Sequence, residues 1–324
     1  MRAHTEIVCT DDLIWRPAEL PRATGTARQQ NLSYDEENGA ASTRVVFTSD
    51  WSRPAGYHEA DTEWYVLNGE VMLGDRRLGA SDYFRAPAGL RVPPVRALAG
   101  TQVLIFREFA DWGFSLSDTD RHAFIPRGGN TASDEPGELT IVQDSHAGWA
   151  ANPYGTVTEQ DFQRKLKLKI LFHDPSPVRR DAGWLTNLVW APPGMDGTGH
   201  GVEHHHVCEE GYGLSGRMDY DYGIFLPGSY FYRPPLVQHA DFKDGGTGHV
   251  LLMRVNGDLI NWKTENLVVE VGGQAADYDP ADPGQVPIMI SAPLRSASAG
   301  SWPGQKTPPL IDSAASAGRT QSEP

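Results

Sequence analysis

The chain has 324 residues, a formal charge of −14, 39 % hydrophobic and 10 % aromatic content, and two cysteines. That length and apolar content suffice for one large or two ordinary domains with real cores, and the acidic balance excludes partners that carry phosphate backbones or anionic lipid. No apolar run approaches the length of a membrane span, so nucleic acid and membrane are both set aside as partners.

The opening stretch MRAHTEIVCTDD carries charges where a secretory signal needs an apolar segment. With Cys9 and Cys208 far apart, free thiols in a reducing cytoplasm are the expectation. Short alternating segments then follow in order: RVVFT, EWYVL, SDYFRAPAGLRV and VLIFR, separated by Gly, Pro, Asn and Asp. This period-two pattern predicts strands joined by turns, and long helical periodicity is scarce. Residues 116–160, with PRGGNTASDEPGE inside them, read as a linker. The alternating QRKLKLK has the pattern of a strand face, and WLTNLVW, the His-rich GVEHHHVCEEGYGLSGRM, GSYFYRPPLVQH and HVLLMRV continue the series. Beyond VPIMI, residues 291–324 turn to Ser, Ala, Gly and Pro and have no core-forming pattern.

The chain repeats itself. Glu63 and Gly69 match Glu210 and Gly216, Tyr83-Phe84 match Tyr230-Phe231, Pro87 matches Pro234 and Arg107 matches Arg254, all offset by 147 positions. LSYD (residues 32–35) and LFHD (171–174) correspond at a shorter offset, which places a longer loop, PPGMDGTGHG, in the second copy. Two all-β domains follow, over residues 1–115 and 161–290.

Residues two apart on a strand share a face, so His204 and His206 form a pair, Glu210 joins them by the same parity, and His205 faces away. Two imidazoles and a carboxylate on one side suit a borderline transition metal, and His239, just past Pro234, offers a fourth donor from another strand. At these positions the second half resembles the cupin family, whose motifs run G-x5-H-x-H-x3,4-E-x6-G and G-x5-P-x-G-x2-H-x3-N. His204, His206, Glu210 and Gly216 answer the first; Gly228, Pro234 and His239 answer the second. Gly216 follows Glu210 one residue early, which makes Glu209 a rival ligand, and Leu236 and Lys243 stand where the motif has Gly and Asn. Cys208 shares the parity of the two histidines and reads as a small hydrophobe outside the site. The first half resembles a decayed copy: His58 and Glu63 remain, Gly56 or Tyr57 falls at another ligand position, and Val92 matches His239.

The resemblance implies a bicupin of tandem double-stranded β-helix (jelly-roll) barrels with one divalent metal in the C-terminal barrel. Three His and one Glu leave two open positions on an octahedral ion, suited to a bidentate oxygen ligand or to substrate and O2 together. Aromatic residues crowd the second barrel, which favours an apolar or aromatic small molecule. The leading expectation is therefore an Fe(II) dioxygenase that cleaves an aromatic or 1,3-dicarbonyl-like compound. A redox-neutral isomerase, lyase or cyclase using Zn, Ni or Mn as Lewis acid is the alternative, with His200 or Tyr232 as general base. A metal-dependent small-molecule sensor without turnover is the third reading. Exposed barrel faces leave room for a homodimer.

Overall fold

The computed structural model describes residues 2–18, 20–108, 113–117, 138–151, 166–173, 185–196, 202–205, 207–220, 223–239, 242–256 and 262–264. Among these the secondary structure is strand, with two short 3-10 turns at Thr10–Asp12 and Asp144–His146. The chain divides into two compact units. The first comprises Met1–Arg2, Ile14–Gly148 and Leu171–Trp184, and the second Ala3–Leu13, Trp149–Ile170 and Leu185–Pro324.

In the first unit, a large antiparallel sheet runs in the order Thr140–Val142, Tyr83–Ala86, Asp61–Asn68, Gln102–Glu108, Ala41–Phe47, Ala27–Tyr34, Arg16–Pro17. Trp51–Arg53, Val95–Ala97, Val71–Leu73 and Arg76–Leu78 make a second sheet, and Arg91–Val92, Gly56–His58 and Phe114–Leu116 a third. One core joins all three. Phe47, Trp64 and Phe84 from the large sheet pack with Trp51, Leu73 and Val95 from the second and Val92 from the third. The Trp64 ring stacks on Phe84 at 5.3 Å between centroids. Alternation in the sequence places these residues on the inner face, and their burial is the main force that closes the unit.

The second unit repeats the order. Ser229–Arg233, Glu209–Tyr220, Phe242–Val255, Leu185–Ala191 and Lys167–His173 follow one another as Tyr83–Ala86, Asp61–Asn68, Gln102–Glu108, Ala41–Phe47 and Ala27–Tyr34 do in the first. The 147-residue offset is thus also a topological equivalence. Gly69 and Gly216, the two matched motif glycines, both have positive φ, at 83° and 76°. A Cβ at Gly216 would overlap the carbonyl oxygen of Gly248 on the neighbouring strand, so only glycine fits the turn.

Two segments lie elsewhere than the sequence places them. Thr5–Cys9, expected in the first barrel, pairs with Ser229–Arg233 as the edge strand of the second unit. Thr140–Val142, within the expected linker, pairs with Tyr83–Ala86. Both are short strands whose partner is remote in sequence, and period-two patterning carries no information about partners. The expected tail, residues 291–324, lies outside the described residues, as do 118–137 and 152–160 of the expected linker.

Candidate metal centre

Two adjacent strands and two loops assemble the site in the second unit. The strand Val202–His204 ends before His205, and the next strand opens at Glu209. His205, Val207 and Cys208 between them lie outside a strand, and the Cys208 N–H donates to Asn256 Oδ1 at 2.7 Å. His205 and Glu209, four positions apart on either side of this break, keep the same parity. In the strand that follows, Glu209 pairs across from Arg233 and Gly211 across from Phe231, on the face that meets the apolar cluster of Ile7, Tyr220, Phe225, Phe231, Val237 and Leu251. A Cβ at Gly211 would collide with the Phe231 ring, so the glycine lets that ring lie over the sheet.

On this inner side His205, Glu209 and His239 converge, with one donor atom from each within 4.8 Å of the others. All three are buried. His205 Nε2 and His239 Nε2 are 3.2 Å apart, and Glu209 Oε2 lies 3.9 Å and 3.8 Å from them. Two imidazoles on one ion at about 2.1 Å stand roughly 3.0–3.4 Å apart, so the histidine pair already has ligand spacing. The backbone ties the two loops together, since the Leu236 N–H donates to the His205 carbonyl at 2.6 Å.

The tautomer of His239 is fixed by its other nitrogen. Nδ1 lies 3.2 Å from the Val237 carbonyl, which can only accept, so Nδ1 carries the proton and Nε2 presents a lone pair to the site. Burial, then the Arg233 charge, hold the His239 pKa well below its ordinary 6.5, so the ring is neutral. A neutral imidazole turned inward by a backbone carbonyl is the form a metal ligand requires.

Arg233 supports the carboxylate. Its Nη1 donates to Glu209 Oε2 at 2.7 Å, and its Nη2 and Nε reach Glu6 Oε1 and Oε2 at 2.7 and 3.2 Å. Nη2 also donates to the Tyr220 hydroxyl at 2.8 Å, and the guanidinium stacks 3.9 Å over Phe231. Burial alone would lower the Arg233 pKa, but Glu6, Tyr220 and Glu209 outweigh it and raise its pKa well above the ordinary value. Burial likewise opposes the Glu6 carboxylate, and Arg233 with His4 brings its pKa below the ordinary range. Two carboxylates share one guanidinium beside the two histidines, and His4 Nε2 lies 2.9 Å from Glu6 Oε2.

The sequence-derived residues are distributed as follows. His239 is in the cluster with Glu209, the rival ligand, and with His205, which the parity argument turned away. Glu210 points to the opposite face, where it accepts from the Tyr230 hydroxyl at 2.7 Å and pairs with Arg254. That ion pair commits its carboxylate to the sheet. His204 is half-buried at a strand end, paired across from Trp262. His206 and His200 lie outside the described residues. Tyr232 donates its hydroxyl to Cys208 Sγ at 3.1 Å, on the face away from Phe231 and Arg233, so the general-base reading has no geometric support. The sequence reading did not single out Glu6 or Arg233. For His205 a signal existed, since it lies 147 positions after the retained His58.

Two duplicated all-β units, the second with a buried His-Glu-His cluster able to hold a metal ion, have the fold of a two-domain cupin. The chain belongs to the DUF4437 family, described as a domain of unknown function, whose family model matches residues 6–262. No curated protein matches the sequence. Among solved structures, a Nostoc punctiforme protein provisionally described as a dioxygenase shares the fold at TM-score 0.62 and 20 % identity, over 81 % of this chain and 87 % of that one. A protein from Pseudomonas aeruginosa provisionally described as glyoxylate-induced aligns at TM-score 0.50 and 18 % identity, over 77 % and 86 % of the two chains. A variant of Bacillus subtilis oxalate decarboxylase aligns at TM-score 0.48 and 15 % identity, over 81 % and 80 %.

Proposed function

We propose that the protein is a metal-dependent cupin enzyme of the Fe(II) dioxygenase type, acting with O2 on an aromatic or 1,3-dicarbonyl-like small molecule. The observation that carries the reading is the convergence of His205 Nε2, His239 Nε2 and Glu209 Oε2. Two histidines and one carboxylate with positions left open are the donor set of non-haem Fe(II) oxygenases. Bound there, iron supplies a Lewis acid for a substrate oxygen and a redox centre for O2.

The chain's own residues shape what surrounds that ion. The Val237 carbonyl keeps His239 in the ligating tautomer, and Arg233 fixes the rotamer of Glu209. Phe231, Val237 and Leu251 line the adjoining interior with apolar surface. Such surroundings favour a flat, weakly polar substrate and exclude water from it. The description of the Nostoc protein as a dioxygenase is in line with this reading. Cys9 and Cys208 are free thiols, which fits a cytoplasmic protein, and among the described residues no helix is long and apolar enough to cross a membrane.

The test is purification without chelators, elemental analysis, and oxygen consumption against a panel of diketones and phenols. Near-stoichiometric iron with substrate-dependent O2 uptake is the expected result. Zinc, nickel or manganese with turnover under strict anaerobiosis would overturn the redox assignment and replace it with Lewis-acid isomerisation or elimination.

A further inference from the structure

The first barrel keeps a buried cation at the positions where the second keeps its candidate ligands. At the 147-residue offset, His58 stands for His205, Thr62 for Glu209, Val92 for His239 and Ala86 for Arg233. Two of the three ligand positions are therefore lost, and Arg53 enters the space from the strand Trp51–Arg53. Its Nη2 lies 2.9 Å from His58 Nε2. A guanidinium can only donate, so His58 accepts at Nε2 and carries its proton on Nδ1. Burial, then the charges of Arg53 and Arg107, hold the His58 pKa well below its ordinary value, consistent with a neutral acceptor.

The surroundings of Arg53 are aromatic. Its guanidinium carbon lies 3.9 Å from the Phe114 ring centre, 5.5 Å from Trp51 and 5.9 Å from Trp64. The side chain is 2 % exposed and Nε has no hydrogen-bond partner. Among the described residues no carboxylate pairs with it. Asp61 is committed to Arg85 Nη2 at 2.8 Å and to the Ala88 N–H at 2.7 Å, and Glu63 accepts from the Tyr83 hydroxyl at 2.8 Å. Burial brings the pKa of Arg53 down to about 9, which still leaves it charged at neutral pH. Cation–π contacts offset only part of the cost of an isolated buried charge. In the second barrel the buried Arg233 has two carboxylates for the same need.

We propose that the first barrel is a binding site for a small monocarboxylate, with Arg53 as the group that recognises it and His58 as the support that aims Arg53. The planar fork of a guanidinium matches a carboxylate, and its single charge matches a monoanion rather than a phosphate dianion. Phe114, Trp51 and Trp64 surround the guanidinium with apolar rings.

The test uses the full chain freed of metal by chelation, so that the second barrel cannot answer through a bound ion. Sodium acetate and sodium formate are titrated against sodium chloride at constant ionic strength, with calorimetry and tryptophan fluorescence as readouts; Trp51 and Trp64 flank the site. The expected result is saturable binding of acetate or formate in the wild type and in Glu209→Gln. Binding falls at least about tenfold in Arg53→Met, the loss expected when a charge-assisted fork is removed. Arg53→Lys keeps the charge without the fork and binds between the two, which decides the matter if Arg53→Met does not fold. No saturable response in the wild type, an equal response in Arg53→Met, or binding of inorganic phosphate in place of acetate would each overturn the proposal. None of these outcomes bears on the metal centre of the second barrel.

Discussion

Arg53 and Arg233 occupy the interiors of two copies of one fold, and their surroundings differ. Arg233 is fixed by Glu6, Glu209 and Tyr220, whereas Arg53 meets three aromatic rings and a neutral imidazole. The two copies thus carry opposite excess charge in their interiors. Where two carboxylates share one guanidinium, the excess negative charge suits a cation. Where a guanidinium has no carboxylate among the described residues, the charge is positive and uncompensated, which is what the proposed anion site rests on.

The largest expected effect is on stability, and it separates the two arginines. Arg233→Ala leaves Glu6 and Glu209 buried without their cation and should cost roughly 3–5 kcal/mol in denaturant unfolding. Arg53→Met removes a buried charge that has no carboxylate partner among the described residues and should leave stability in carboxylate-free buffer unchanged or about 1 kcal/mol higher. Equal losses at both positions would erase the distinction. Next, Glu6→Gln weakens the hold on Arg233 without touching the three donors. It should lower metal affinity by about 10–100-fold, as loss of an outer-shell partner does, with isothermal titration as the check.

Acid should weaken the metal-free protein through His58 and His239. Both have folded pKa values depressed below the ordinary 6.5, so the unfolded chain takes up protons that the fold refuses. Their contribution is complete above about pH 6.5 and is lost as pH falls from there toward the folded values, at about 1.4 kcal/mol per pH unit for each ring. Urea midpoints between pH 7.5 and 5.5 test this, and His58→Gln should flatten the slope by one proton.

The smallest effect concerns a residue that departs from the cupin motif. Leu236 stands where the motif has Gly, and its φ is +71°. Leucine there meets the steric penalty that glycine avoids, so Leu236→Gly should stabilise the loop between His205 and His239 by up to about 1 kcal/mol, net of the chain entropy that glycine adds. A loss of stability would show that the Leu236 side chain is held by packing instead.

Much of the fold could be read from the residues, because alternation marks strands and a fixed offset across several motifs marks a duplication. The edge strand Thr5–Cys9 could not, since its pairing with Ser229–Arg233 spans more than two thirds of the chain. The site was legible in part. His239 follows from the second motif, and parity correctly groups His205 with Glu209. Parity does not say which of the two sets faces inward, and the motif spacing favoured the set that holds Glu210. Glu210 then falls on the outer face with Arg254 and Tyr230.

The most direct test of the central claim is metal content per chain in His205→Ala beside Glu210→Gln, each reconstituted anaerobically with Fe(II). The account predicts that His205→Ala loses the metal, with affinity down by at least about 100-fold, beyond the loss of an outer-shell group. Glu210→Gln should keep it. Full occupancy in His205→Ala together with loss in Glu210→Gln would contradict the account and return the ligand set to His204, His206, Glu210 and His239.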